Sequence, residues 1–279
     1  MIFSSYDRAR LSVELVGEGP TVICLPGGPG RAAAYLEDLG GLGASRRLAL
    51  LDGRGSGRSP FPDDPATLAF PAQAGDVEAL RAELGVDKVT VLGHSAGTLV
   101  AMAYAAAHAD RLEALVLVTP TGRMHGVDHP DVAAIRAARS GEPWYAEAHE
   151  AEQQMADAPR GMQAELEKAQ RPFFYGSWDD RVQEHAASAD RQMSPRATLG
   201  FAPPPGFDAQ TILSSLSQVT APVLVVAGSR DGLTGVEAAH AVARGFPNAE
   251  TAVLEGAGHF PWVDEPDAFR TAVLDFLDR

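Results

Sequence analysis

The chain has 279 residues, of which 45% are hydrophobic and 22% charged, a balance that excludes a disordered chain and fits one large domain or two small ones. Its 23 basic and 37 acidic residues give a formal charge of −14, which repels phosphate backbones and anionic lipid, so neither nucleic acid nor membrane is expected as a partner. The single cysteine, Cys24, excludes an intrachain disulfide and a thiolate zinc site. No apolar stretch reaches the ~20 residues of a membrane span, and MIFSSYDRARLSVEL lacks the pattern of a secretory signal, so a cytoplasmic location is the default expectation.

In chain order, ARLSVELVG (9–17) reads as an N-terminal strand, half of a hairpin. TVICLPG (21–27) is a buried strand ending in a glycine loop, with Cys24 as a small hydrophobe. A helix is expected to begin near Arg31, and RRLALLD (46–52) is the next strand. Residues 71–84 alternate with a helical period up to Gly85, a helix stop. KVTVLGH (88–94) is a strand, the segment from Ser95 to His108 an Ala-rich helix, and LEALVLVTP (112–120) a strand. Strands return at APVLVVAGS (221–229) and ETAVLEG (250–256), with helices near 235–245 and 265–278. Central strands apolar on both faces belong to a parallel sheet covered by helices on both sides. The fold class is therefore α/β: a mostly parallel twisted sheet flanked by helices.

The alternation breaks between about 122 and 212. WYAEAHEAEQQM (144–155) and GMQAELEKAQ (161–170) are helical, RPFFYGSW (171–178) is aromatic, and FAPPPGF (201–207) supplies a stiff connector. With no strand expected there, 122–212 reads as a helical cap inserted into a core of residues 1–121 and 213–279.

The strongest chemical signal is Gly93-His94-Ser95-Ala96-Gly97, set between a strand and a helix. G-x-S-x-G in that context places a serine on a sharp turn with its Oγ outward, and glycines on either side leave room for the turn. A nucleophilic serine needs a base, and the base an orienting carboxylate. Asp231 follows the strand APVLVVAGS and His259 follows ETAVLEG, each where ligands meet an open α/β sheet and in the order Ser…Asp…His. An oxyanion hole needs two backbone N–H donors; Ala96, after the nucleophile, and Gly28, in the loop Pro26-Gly27-Gly28-Pro29-Gly30, are the candidates. Gly27, His94, Trp144, Tyr145, Phe174 and Tyr175 are the candidates for lining the substrate pocket, although the aromatics, with Phe173 and Trp178, fit the packing of the cap itself equally well. His125 and His129 stand four apart, but Gly126 and Pro130 argue against a helix that would pair them, and HExxH is missing, so no metal is expected. No phosphate-binding glycine motif follows a strand, and no cofactor is expected.

Together PGGPG (26–30), DGRGSGRS (52–59), GHSAGTLVAMAYA (93–105), GSRDGLT (228–234) and GAGHFPWVDEP (256–266) resemble the α/β-hydrolase superfamily, in its proline iminopeptidase-like branch. The resemblance covers roughly 12–120 and 218–279, not the cap. It implies a serine hydrolase acting through an acyl-enzyme on a small-molecule or short-peptide substrate, an aminopeptidase in that branch. It also implies that DGRGSGRS is structural, with Asp52, Arg54 and Arg58 bracing the early strands. Two motifs depart from the branch: Pro26 stands where HGGPG has histidine, and GHSAG stands for GGSWG. Enzymes of the branch hold a substrate amino group with acidic cap residues; Glu142, Glu147, Glu150, Glu152, Asp179 and Asp180 are available here. An esterase, amidase or lactonase for a small apolar substrate is the alternative, and a non-catalytic binding protein on the same scaffold is the alternative of another class.

Overall fold

The computed structural model describes residues 1–279, apart from the side chain of Arg160. Its strands are β1 (Ile2–Ser4), β2 (Arg10–Val16), β3 (Thr21–Leu25), β4 (Arg47–Leu51), β5 (Val89–His94), β6 (Leu112–Val118), β7 (Val223–Gly228) and β8 (Ala249–Leu254). They form one sheet in the order β1-β2-β4-β3-β5-β6-β7-β8. β1, β2 and β4 pair antiparallel, and all pairs from β4 to β8 are parallel. The N-terminal strand is thus half of a hairpin as expected, with the short β1 as its partner.

Side-chain alternation along the parallel strands feeds two apolar layers, one on each face. Ile23, Leu25, Val91, Leu115, Leu117, Val223 and Val225 face one layer, which holds Tyr104, Leu216 and Val242. Val22, Cys24, Leu92, Val116, Val118, Leu224 and Val226 face the other, which holds Tyr35, Trp262 and Phe269. This explains why the strand sequences are apolar without alternation.

The helices are α1 (Phe70–Glu83), α2 (Gly97–Ala107), α3 (Val132–Ala137), α4 (Tyr145–Met155), α5 (Arg160–Gln170), α6 (Asp180–Gln192), α7 (Pro195–Gly200), α8 (Ala209–Leu216), α9 (Gly235–Ala243), α10 (Pro261–Asp264) and α11 (Pro266–Leu277). α3 to α8 all lie between β6 and β7, with no strand among the described residues there. The helix expected near Arg31 does not form. Only a 3-10 turn, Ala33–Leu36, follows the glycine loop, because Arg31 instead makes a bridge to Met193 and Ala32 donates to the Gln192 carbonyl at 3.0 Å. Glu37 and Leu39, both at positive φ, then turn the chain away.

The DGRGSGRS loop is a structural brace. The fully buried Arg54 donates to Asp76 at 2.6 and 2.8 Å and to Asp7 at 2.6 Å, tying the loop to α1 and the β1–β2 turn. Asp52 accepts from the Ala33 and Arg58 amides, each at 2.9 Å. No helix is long and apolar enough to cross a membrane.

Candidate active site

Ser95 sits between β5 and α2 with φ at +50°, a left-handed conformation costing a non-glycine residue about 1–3 kcal/mol. Its surroundings hold it there. Its amide donates to the Val118 carbonyl at 2.9 Å, and its carbonyl accepts from the Thr98 amide at 3.0 Å. Glycines around the serine are steric requirements: a Cβ on Gly97 would lie 2.4 Å from the Leu25 carbonyl oxygen, and one on Gly27, in the PGGPG loop, would lie 2.6 Å from Ser95 Cβ. The backbone of the glycine loop therefore lies against the serine turn. Neither the Gly28 nor the Ala96 amide donates to another group of the described protein, and Gly28 takes φ of +46°.

Asp231 is fully buried at the end of β7. One carboxylate oxygen accepts from the Leu233 and Thr234 amides at 2.8 and 3.1 Å; the other accepts from Thr234 Oγ1 at 2.7 Å and faces His259 Nδ1 at 2.9 Å. Burial pushes this carboxyl up, but the His259 ring, the Thr234 hydroxyl and the Leu233 amide outweigh it and hold it below the ordinary aspartate value. The bond to Asp231 leaves His259 Nε2 free of protein partners. Ser95 and His259 both line one cavity of about 130 Å³, together with Gly28, Arg31, Tyr35, His94, Phe174, Tyr175, Met193 and Phe260. No hydrogen bond joins Ser95 Oγ to His259.

His94 lies under this cavity with both ring nitrogens occupied. A carbonyl only accepts, so Nε2–H donates to the His259 carbonyl at 2.9 Å. Nδ1 then accepts from the Tyr35 hydroxyl at 2.6 Å, and that hydroxyl accepts from the Gly27 amide at 2.6 Å. Burial first, and the neighbouring His259 second, keep the His94 pKa well below the usual histidine range. A neutral ring with a fixed tautomer thus links the glycine loop to the His259 loop.

The aromatic strap at 172–176 fastens the two acidic and basic loops. The Phe173 carbonyl accepts from the Gly232 amide at 3.0 Å and the Phe174 carbonyl from the His259 amide at 2.7 Å. A Cβ on Gly258 would lie 2.6 Å from the Phe174 carbonyl oxygen. Arg139 in turn donates to the strap's Pro172, Tyr175 and Gly176 carbonyls.

Of the pocket candidates, His94, Phe174 and Tyr175 line the cavity, whereas Trp144 and Tyr145 do not. Those two stand edge-on to Phe173, at ring separations of 5.2 and 5.8 Å, and form packing within the helical layer. Gly27 contributes backbone behind Ser95 rather than wall. Glu142, Glu147, Glu150, Glu152, Asp179 and Asp180 all lie off the cavity; Glu152 pairs with Arg136 at 2.6 Å, and Asp179 caps α6. The one carboxylate that lines it is Glu167, at the mouth. Sequence reasoning did not find Tyr35, Thr234, Arg31 or Glu167. Thr234 closes GSRDGLT and meets Asp231 three residues away, whereas only the fold brings Tyr35, Arg31 and Glu167 to the cavity around Ser95.

A family model described as the α/β hydrolase fold matches residues 20–266. The chain is 30% identical to N-formylmaleamate deformylase of Pseudomonas putida over 265 residues, covering 94% of this chain and 90% of that protein. It is 24% identical to proline iminopeptidase of Lactobacillus delbrueckii subsp. lactis, covering 96% and 93%. The enol-lactonase from Burkholderia xenovorans LB400 superposes with a TM-score of 0.70 at 22% identity, over the whole of both chains.

Proposed function

The chain belongs to the α/β-hydrolase family, and from that premise we propose that it is a serine hydrolase cleaving a small ester, amide or lactone through an acyl-enzyme on Ser95. The observation that carries this reading is the left-handed Ser95 opening onto one cavity with His259, whose other ring nitrogen is engaged by the buried Asp231.

In this mechanism His259 Nε2 takes the Ser95 Oγ proton as the oxygen attacks the substrate carbonyl. The carbonyl oxygen gains the negative charge and accepts hydrogen bonds from the Gly28 and Ala96 amides, each such donor lowering the barrier by about 3–4 kcal/mol. The tetrahedral intermediate collapses, the scissile bond breaks, and the leaving oxygen or nitrogen takes the proton from the imidazolium. Water then gives a proton to His259 and attacks the acyl carbon, and collapse releases the acid and regenerates Ser95. Asp231 keeps Nδ1 protonated and stabilises the imidazolium between proton transfers. In the same reading 122–212 is the cap: Glu167, Arg171, Phe174, Tyr175, Ala186, Ala189 and Met193 from that segment wall the cavity over the sheet edge.

A second reading, an aminopeptidase, rests on Glu167, which lines the cavity and makes no ion pair among the described residues. The deciding assay measures p-nitrophenyl acyl esters and aminoacyl p-nitroanilides, including prolyl and alanyl forms, with wild type and Ser95→Ala. Serine-dependent ester release supports the proposal, and release from the anilides alone moves the enzyme to the aminopeptidase reading. Turnover that survives Ser95→Ala overturns both.

A further inference from the structure

Among the described residues four arginines are buried: Arg31, Arg46, Arg54 and Arg139. Three have an acidic partner: Arg46 has Asp278, Arg54 has Asp7 and Asp76, and Arg139 has Glu142 at 3.8 Å. Arg31 is 5% exposed and has none among the described residues. Its Nε donates to Gln192 Oε1 at 2.9 Å, and one Nη donates to Ser188 Oγ at 3.0 Å and to the His185 carbonyl at 3.4 Å, all neutral acceptors. Its guanidinium lies 4.0 Å over the Tyr35 ring. The nearby ionisable groups are the Tyr35 and Tyr175 phenols, the His94 and His185 rings and a second cation, Arg171, none of them an anion at neutral pH. Guanidinium stays charged at neutral pH, so this is a buried positive charge without a counterion, an arrangement that is costly unless an anion arrives.

The place of that charge is informative. Arg31 follows the PGGPG loop directly and lines the cavity that holds Ser95 and His259. The Arg31 Cβ and Cδ atoms lie 3.7 and 3.8 Å from where a Gly28 Cβ would stand. The Phe174 and Phe260 rings, Ala186, Ala189 and the ring of Tyr35, whose hydroxyl is engaged by Gly27 and His94, give the same cavity apolar walls that suit a short hydrocarbon spacer, and Glu167 and Arg171 line it too.

We propose that Arg31 is the specificity-determining residue for a substrate whose acyl part carries a carboxylate a few carbons from the scissile carbonyl. This rests on the serine hydrolase reading for its chemistry, but the anion site stands on its own geometry. Arg31 pairs with the carboxylate in the ground state and the transition state alike, so its loss acts chiefly on KM. The overall charge of −14 repels anions, which makes a local cation the more necessary for such a substrate.

The test compares monomethyl glutarate with methyl pentanoate, which differ only by carboxylate against methyl at the far end. Released acid is titrated for wild type, Arg31→Gln and Arg31→Lys. Wild type is expected to prefer the glutarate ester about ten- to hundredfold in kcat/KM, as for a charge-assisted hydrogen-bonded pair, mostly through KM. Arg31→Gln brings the ratio near one, and Arg31→Lys keeps part of the preference because it keeps the charge. A wild-type preference for the pentanoate, or a ratio unchanged in Arg31→Gln, overturns the proposal. A merely structural Arg31, stapling the glycine loop to α6, would lower both rates together, as would the double change of Ser188 and Gln192 to alanine, and leave the ratio alone. Calorimetric titration of glutarate into the Ser95→Ala protein separates this proposal from the hydrolase reading. Saturable binding that disappears when Arg31→Gln is added supports the anion site even if neither ester is cleaved. No binding, or binding indifferent to Arg31, overturns the site even if Ser95-dependent hydrolysis is found.

Discussion

The helix that follows Ser95 and the helix that carries Glu167 are both eleven residues long, yet they are held by different forces. α2 buries Gly97, Thr98, Val100, Ala101, Met102, Ala103, Tyr104 and Ala105, and its apolar sequence leaves it nowhere to go but between the sheet and its neighbouring helices. α5 has Gln170 as its only buried residue among those described, and Met162 on it is 52% exposed. Between α5 on one side and α6 and α7 on the other runs an outer groove of about 420 Å³ lined by Ala164, Lys168, Pro195 and Leu199. The groove shares Glu167, Arg171, Ala189 and Met193 with the cavity around Ser95. Burial fixes where Ser95 stands, whereas the helix carrying Glu167 on the other side of the cavity is only lightly packed. The two sides of the cavity therefore belong to regions of different local stability.

That contrast can be broken most sharply at Ser95. Ser95→Ala is expected to lose about 10⁴–10⁶-fold in kcat, the range for removing a nucleophile that works as a unit with its base, with a Tm no lower than wild type. A residual rate within tenfold of wild type sinks the nucleophile assignment. Next in size is Arg54→Met, which leaves Asp76 buried without its bidentate partner. A loss of about 3–5 kcal/mol is expected in chemical denaturation, and a loss below 1 kcal/mol would mean the brace is dispensable. Gly97→Ala forces a Cβ against the Leu25 and Pro26 carbonyls and should cost about 1–3 kcal/mol by overpacking, with turnover falling because the serine turn moves.

A pH-dependent effect of smaller size sits beside His259. Asp264 accepts from the Gly258 amide at 2.8 Å, next to His259, and burial raises its carboxyl from 3.8 to about 6. The folded protein then binds more protons at Asp264 than the unfolded chain across that interval, so this group's contribution is present below 3.8 and is lost as pH rises through about 6. Denaturation of wild type and Asp264→Asn from pH 3.5 to 7 should show the variant gaining relative stability over that window. A flat difference would refute it. The smallest effect belongs to α5: Met162→Gln should change stability by no more than about 0.5 kcal/mol, and a larger loss would show that α5 is held more firmly than its exposure indicates.

The strand order along the chain, the parallel sheet and the loop positions of Ser95, Asp231 and His259 are legible because they follow from local signals. A doubly buried strand is a run of Val, Leu and Ile, and a tight turn needs its glycines; a Cβ on Gly93 would lie 2.8 Å from the Gly97 carbonyl oxygen across the Ser95 turn. The turn at Arg31 was not legible. Its residues suit a helix start, and what prevents one is a bridge to Met193, 162 positions away. Nor could residues 144–178 announce which aromatics line the cavity. Phe174 and Tyr175 line the cavity while Trp144 and Tyr145 pack on Phe173, a division set by the docking of the strap on the Gly232 and His259 loops.

By itself, then, the sequence determined the sheet, the turn that strains Ser95 and the loop positions of Asp231 and His259, since each depends on neighbours in the chain and on the apolar period. Only the tertiary structure decided that His94 is a neutral link from Tyr35 to the His259 backbone, that Glu167 alone of the carboxylates reaches the cavity, and that Arg31 is buried with no acid beside it. The physical reason is that a charge or a hydrogen bond takes its meaning from whatever stands within about 4 Å, and in this fold those partners come from distant parts of the chain.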